Sequence, residues 1–347
     1  MPITVIVGGQ FGSEGKGKVA HAWAQRFAAS VAVRVGGSNS GHTVQGPAGR
    51  LVSFRHLPTP CLLPKVLCVI PAGSYLDVRV LKEEIKVAKL TPKRLVVDPY
   101  AAVISESHKQ VEAVSGLTAA IGSTGSGTGA CLQHRVGRLA CLKFAKDIPE
   151  LASFVADTRE RLRSHLRKGE RVIIEGTQGF GLSLLHSENY PRTTSRDTTA
   201  AAFVSEAGVS PLDVDQVVLV IRSFPIRVAG DSGPLPREVT WPVVTAESGS
   251  MKQLVERTTV TNKVRRIGRF DGDVVRKAII SNRPTHIVMN HLDYIDVAAR
   301  DYHRPTALVW GFVRRAEIEV GQKFDFLGFD KSSVLCPAIA RDVRVAQ

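Results

Sequence analysis

Six short runs of aliphatic, mostly β-branched residues punctuate the chain: Thr4–Gly8, Val31–Val35, Val66–Ile70, Arg171–Gly176, Val217–Ile221 and His286–Asn290. Their apolar residues are consecutive rather than alternate, so both faces of each run must be buried, and the segments between them are long enough for helices. The pattern predicts an α/β fold with a mostly parallel central sheet flanked by helices. Helices are expected over Lys18–Ala29, Asp77–Leu90, Ala156–Arg167 and Gly272–Ser281, the last opened by Asp271 as N-cap and closed before Arg283-Pro284. No internal repeat or low-complexity linker interrupts the 347 residues. One α/β domain over 1–347 is therefore expected, with inserted loops at about 116–135, 185–199 and 257–271. The stretch Gly116–Gly129 (GLTAAIGSTGSGTG) is too rich in Gly, Ser and Thr to suggest a helix.

Charge narrows the partners. The chain carries 46 Lys and Arg against 32 Asp and Glu, a net charge of +14, which favours polyanionic ligands. No apolar run approaches the ~20 residues of a membrane helix, and the opening MPITVIVGGQ enters a strand pattern without a basic leader. A cytoplasmic setting with no membrane partner is expected. Cys61, Cys68, Cys131, Cys141 and Cys336 are scattered, without metal-ligand spacing, and read as reduced, structural thiols.

Three glycine-punctuated loops follow predicted strands. The first, Gly8-Gly9-Gln10-Phe11-Gly12-Ser13-Glu14-Gly15-Lys16-Gly17-Lys18, stands between a strand and a helix, where backbone N–H groups close around phosphate. It approaches the P-loop formula from Gly12 to Lys18, but Val19 occupies the place of the metal-binding hydroxyl. The second, Gly36-Gly37-Ser38-Asn39-Ser40-Gly41-His42-Thr43-Val44, exposes one ionisable side chain at the same sheet edge. The third, Glu175-Gly176-Thr177-Gln178-Gly179, offers an amide that can both donate and accept.

Taken in order with IGSTGSGTG, YPRTTSRDTT and TNKVRRIGRFD, these loops resemble the adenylosuccinate synthetase family. Its motifs read G-x-Q-W-G-D-E-G-K-G-K, G-x-N-A-G-H-T, I-G-T-T-G-R-G-I-G, E-G-A-Q-G, Y-P-x-V-T-S-S-N-T-T and R-R-R-x-G-x-x-D. The resemblance runs from about residue 4 to about residue 295. It implies a ligase that phosphorylates the 6-oxygen of a purine monophosphate from a nucleoside triphosphate and then displaces that phosphate with L-aspartate, working as a homodimer with Mg²⁺.

Carried over, the resemblance makes His42 a general acid at the 6-oxygen, Gln178 the amide reading the purine edge, and Ser13 the third catalytic position. Gly12, Glu14, Gly15, Lys16, Gly17, Lys18, Gly41, Thr43, Arg265 and Asp293 are expected to serve the triphosphate. Asn39, Ser123, Thr124, Thr194 and Lys263, with Ser13 and Gln178, would hold the monophosphate and its base, and Arg135 would be lent to a second subunit. Thr261, Lys263 and Arg265 fall on aspartate-binding positions, Lys263 standing where the family has an arginine, and Gly41 with Ser13 would ligate Mg²⁺.

Ser13 is the decisive departure, since the family has an aspartate there that takes the N1 proton and helps hold the metal. A hydroxyl frees space beside N1 and C2 and offers an acceptor to a 2-amino group. Guanine has that amine and hypoxanthine lacks it. The pattern resembles the phage-encoded branch of the family, which uses dGMP to make the precursor of a diaminopurine deoxynucleotide; the setting would then be the host cytoplasm. IMP is the alternative substrate. Asn290-His291-Leu292-Asp293 replaces the guanine-reading T-K-L-D, leaving ATP and GTP both open as donor. A basic nucleic-acid-binding ATPase is disfavoured, because the Arg265–Arg269 cluster has no interleaved aromatic residues, and no nucleic-acid partner is expected.

Overall fold

The computed structural model describes residues 2–46, 49–258, 262–302, 304–331 and 335–338; Thr261 lies outside them. Its centre is a nine-stranded sheet, with strands numbered here in chain order: β1 (Ile3–Gly8), β2 (Val31–Arg34), β3 (Leu67–Ile70), β4 (Leu95–Val97), β5 (Val172–Glu175), β6 (Val214–Arg222), β7 (His286–Asn290), β8 (Phe326–Leu327) and β9 (Cys336–Pro337). The spatial order is β9-β8-β7-β6-β1-β5-β2-β3-β4, parallel throughout except for the β8/β9 edge pair. All six predicted strands are present.

The sheet is buried on both faces, and the period of two divides each strand between them. Val5 and Val7 of β1 pack with Val172, Ile174, Leu219 and Ile221 against Leu162, Phe203, Val275 and Val313 from four helices. Ile6, Ile173, Val218 and Val220 face the other way, onto Val19, Ala20 and Trp23 of the helix Lys16–Arg26. The far edge packs on the helix Val78–Ala88 through Leu81 and Ala88.

Capping side chains set helix boundaries that periodicity placed only approximately. Asp77 accepts from Val80 N–H, Asp157 from Arg159 and Glu160, and Asp271 from Asp273, starting the helices Val78–Ala88, Thr158–Arg167 and Gly272–Asn282. Lys16–Arg26 starts two residues earlier than expected and ends before Ala28, which is left-handed.

Two sequence expectations are corrected. Gly116–Gly129 does contain helix: LTAAI forms Leu117–Ile121 between left-handed Gly116 and Gly122, and left-handed Gly127 precedes Thr128–Val136. Glycine at those ends terminates helices rather than preventing them. The basic segment 257–271 is not all loop, because Arg266–Gly268 pairs antiparallel with Ile226–Arg227 and Glu238–Val239. No disulfide joins any of the five cysteines among the described residues, and burial pushes the Cys68 and Cys131 thiols up to about 12, so these two are inert at neutral pH.

Candidate active site

Parallel pairing brings the carboxyl ends of β2, β5, β1, β6 and β7 to one edge, where open α/β sheets take ligands. Four of these strands end on a buried polar residue: Arg34, Glu175, Arg222 and Asn290. Arg34 stands in register with Glu175, and Arg222 with Asn290. The sequence reading named Glu175 and Asn290 only as the first residues of motifs and did not single out Arg34 or Arg222.

β1 instead ends in the glycine loop. Gly12, Ser13 and Gly15 all have positive φ, which bends the chain back on itself. Glu14 is turned inward: Oε1 accepts from Gly12 N–H at 2.8 Å and Gln10 N–H at 3.2 Å, and Oε2 pairs with Lys16 Nζ at 2.6 Å. Lys16 Nζ also donates to the Gln178 carbonyl, joining the first loop to the third. Gly15 lies so close to Asn290 that a Cβ would sit 2.8 Å from Nδ2, so glycine is required there. The helix Lys16–Arg26 begins with no side-chain cap, and its first N–H groups are left for an anion.

On one flank of this loop, His42 meets a closed network. Glu175 Oε1 stands 2.6 Å from His42 Nδ1, Arg34 Nη1 is 2.7 Å from the same nitrogen, and Glu175 Oε2 accepts from Thr59 N–H and Oγ1–H at 2.8 Å each. Burial pushes the Glu175 carboxyl up to about 7, against the pull of Arg34. Burial and the neighbouring Arg34 and Lys16 charges hold His42 well below the ordinary histidine range.

The other flank is built on Arg222. Its Nη1 donates to the Ser13 carbonyl at 2.9 Å and its Nη2 to Glu256 Oε1 at 2.5 Å, while Asn290 Nδ2 donates to the Glu14 carbonyl at 2.8 Å. Lys18 Nζ donates to the Asp330 carbonyl at 2.5 Å. Burial lowers the Lys18 ammonium and raises the Asp293 carboxyl, each against the attraction of the other. Among the described residues, nothing donates to the buried Asn290 Oδ1 and Asp293 Oδ1.

Between the loops opens a cavity of about 390 Å³. Gly12, Ser13, Lys16, Asn39, Gly41, His42, Ser123, Thr124, Gln178, Thr194 and Arg265 all border it, so the structure gathers most of the expected positions on one wall system. Among the described residues, none hydrogen-bonds the Ser13 hydroxyl. Other expected residues stand elsewhere. Glu14, Gly15, Gly17 and Lys18, in the loop and the helix start, and Asp293 do not line the cavity, Thr43 Oγ1 pairs with Ser53 on the surface, and Lys263 is exposed. Arg135 Nη1 donates to the Ala72 carbonyl at 2.7 Å and its guanidinium lies over Tyr75 and Phe144, away from this cavity. In the basic segment, Arg266 and Arg269 are paired with Glu238 and Glu247. The Glu112 carboxylate, also unforeseen, accepts from Gly127, Gly129 and Ala130 N–H and so fixes the loop bearing Ser123 and Thr124.

Comparison with known proteins converges on one family. The model of adenylosuccinate synthetase matches residues 5–146 and 140–300. Adenylosuccinate synthetase of Methanocaldococcus jannaschii is 38% identical over 325 residues, covering 92% of this chain and 91% of that protein. The Thermococcus onnurineus enzyme is 38% identical over 328 residues, with coverage of 92% and 94%. Among solved structures, the succinoaminodeoxyadenylate synthetase of cyanophage S-2L, bound to dGMP and to dATP as an energy donor, superposes with a TM-score of 0.80 at 29% identity, covering 97% of this chain and 95% of that one. The fully ligated adenylosuccinate synthetase of Plasmodium falciparum has a TM-score of 0.83 at 18% identity, with coverage of 96% and 98%, and shares the fold.

Proposed function

We propose that this chain, which belongs to the adenylosuccinate synthetase family and is therefore a ligase joining aspartate to a purine nucleotide through a C–N bond, takes dGMP as that nucleotide. The observation that carries this reading is Ser13, which borders the cavity where the family has a carboxylate and whose hydroxyl bonds none of the described residues. An acceptor with room around it suits a 2-amino purine. The likeness to the dGMP-bound cyanophage enzyme supports the same reading.

The γ-phosphoryl of ATP or GTP passes to O6 of the base as N1 gives up its proton to water, leaving the nucleoside diphosphate and converting a poor leaving group into phosphate. The aspartate amine then attacks C6, phosphate departs, and N6-succinyl-2-amino-2′-deoxyadenylate results. The uncapped helix start at Lys16 and the Lys16 ammonium receive the triphosphate. One proton shared between Glu175 and His42 Nδ1 leaves another on His42 Nε2, which donates to O6 as charge develops there. Gln178 reads the purine edge, and Asn39, Ser123, Thr124 and Thr194 receive the monophosphate. Arg265 and the 261–263 segment receive aspartate.

Mg²⁺ fits this wall as an ion brought in with the triphosphate. The Gly41 carbonyl and Ser13 hydroxyl are neutral oxygens on one cavity, and no group of three or more His, Cys, Asp or Glu able to hold a metal occurs among the described residues. Magnesium commonly completes its shell with phosphates and water, and would neutralise phosphate charge. Arg135, turned away from its own cavity, would complete the monophosphate site of a second copy in a homodimer. Mixing inactive Arg135→Ala and His42→Ala chains should then restore activity.

IMP is the second reading, favoured by the curated relatives at 38% identity, which are adenylosuccinate synthetases. Incubation with Mg-ATP or Mg-GTP, L-aspartate and either dGMP or IMP, followed by mass spectrometry of the succinylated product, separates the two. Product from dGMP is expected, and product from IMP alone would overturn the assignment.

A further inference from the structure

The second and third loops are joined by a contact that the motif resemblance does not contain. Ser40 Oγ and Thr177 Oγ1 stand 2.5 Å apart. Arg34 Nη2 donates to Ser40 Oγ at 3.2 Å, and Arg34 Nη1 donates to the Gly176 carbonyl at 3.0 Å. Arg34 occupies one lone pair of Ser40, and either hydroxyl can donate across the Ser40–Thr177 pair. The adenylosuccinate synthetase motifs carry alanine at both positions, G-x-N-A-G-H-T and E-G-A-Q-G. Thr177 is 1% exposed, so a hydroxyl introduced there without Ser40 would be buried unsatisfied. The two hydroxyls therefore make sense together and not singly.

We propose that Ser40 and Thr177 are positioning residues, a tether that fixes the distance between His42, two residues beyond one hydroxyl, and Gln178, one residue beyond the other. The proposal rests on the reading of His42 and Gln178 as the groups facing the purine. The geometry is suited to the task. Both loops leave adjacent parallel strands whose last residues, Arg34 and Glu175, are in register, so their roots are already aligned. Gln178 is held in the left-handed region, and the Thr177 methyl lies against Gly36, where a Cβ would approach Cγ2 to 2.9 Å. Beyond the strand ends, Arg34 bridges the two loops through the Gly176 carbonyl and Ser40 Oγ, and the Ser40–Thr177 bond joins their tips directly. Ser40 itself borders the cavity.

The test compares Ser40→Ala, Thr177→Val and the double variant in the full-length protein. Each single change is expected to lower kcat roughly tenfold, as a small misplacement of reacting groups does. The double variant should be no worse than either single one, since one bond is lost in all three. Thr177→Ser, which keeps the hydroxyl, should retain kcat, and the KM values for aspartate and triphosphate should hold. In ligand-free protein, the ¹⁵N resonances of the His42 imidazole should shift in the Ala and Val variants but not in Thr177→Ser. Turnover is read on whichever of dGMP and IMP the parent accepts, and the resonances need no substrate, so failure of the dGMP assignment is separable. A lowered melting temperature with kcat and His42 resonances unchanged, or losses that simply add, would overturn the tether.

Discussion

The glycine loop has two flanks made from the same parts and finished differently. On the β2/β5 side, Glu175 spends both carboxylate oxygens on His42, Arg34 and Thr59. On the β6/β7 side, Asn290 and Asp293 each keep a buried oxygen without a donor among the described residues. Buried acceptors without donors are costly, and a ligand with N–H groups removes the cost. A closed network presets one group for chemistry, whereas an open one waits for a base. On the reading proposed above, the His42 flank has its Glu175 carboxylate fully bonded before substrate arrives, with Arg34 Nε lacking an acceptor among the described residues, while the Asn290 flank keeps two acceptors for its ligand.

The largest expected effect strikes the closed flank. Glu175→Ala strands the Arg34 charge in the interior, and loss of one partner of a buried pair costs about 3–5 kcal/mol. Turnover should fall by roughly 10² or more as the proton shared with His42 is lost. Asp293→Ala leaves the buried Lys18 ammonium its Asp330 carbonyl and the Asp330 charge, and should lower denaturant stability by less, about 1–3 kcal/mol. If the two variants prove equally unstable, the flanks do not differ as described.

Ser13 lies at the joint, its carbonyl held by Arg222 and its side chain in the cavity. Ser13→Asp should cut kcat/KM for dGMP by at least about tenfold, through crowding and an added charge beside the 2-amino group, while use of IMP holds or rises. Unchanged dGMP turnover would remove the physical basis for reading the serine as a specificity residue. A smaller effect is expected from Asp293→Asn. The KM for the triphosphate should rise severalfold, since a carboxylate acceptor is exchanged for an amide (roughly 1 kcal/mol), and the KM for the monophosphate should stay put. A shift in the monophosphate KM instead would place Asp293 on the wrong flank.

Sequence reasoning reached the sheet because consecutive apolar residues leave a strand no exposed face, and it reached the three loops because glycine marks where the backbone must turn. It did not reach Arg34 or Arg222, nor the role of Glu175, since their partners lie far along the chain: Arg34 meets Glu175 across 141 positions and Ser13 meets Arg222 across 209. Nor did composition reveal that LTAAI could be helical between glycines, because glycine content is silent on where each glycine stands. The basic segment misled for a related reason. Arg266 and Arg269 look free in sequence but are answered by Glu238 and Glu247, both from the preceding strand and helix.

The smallest effect concerns the parent protein near neutrality. In the folded chain Glu175 is raised to about 7 from 4.5, so between those values the native state holds a proton that the unfolded state has released, and stability falls as pH rises. His42 works in the opposite sense: lowered well below 6.5, it is neutral when folded and protonated when unfolded, so stability rises with pH up to about 6.5. The two slopes oppose each other where their windows overlap below about 6.5, and the closed flank should contribute little pH dependence there. Glu175→Gln removes one of the two. His42, still buried beside Arg34 and Lys16, then leaves an uncompensated slope of up to about 1.4 kcal/mol per pH unit, seen as acid lability in denaturant midpoints measured from pH 5 to 7. The donor flank repeats the arrangement with His291 lowered and Asp293 raised by burial, and Asp293→Asn should expose a slope of the same sign. A flat profile in Glu175→Gln would mean that His42 is not held neutral by its surroundings, and the proton assigned to its Nδ1 contact with Glu175 would have to be placed elsewhere.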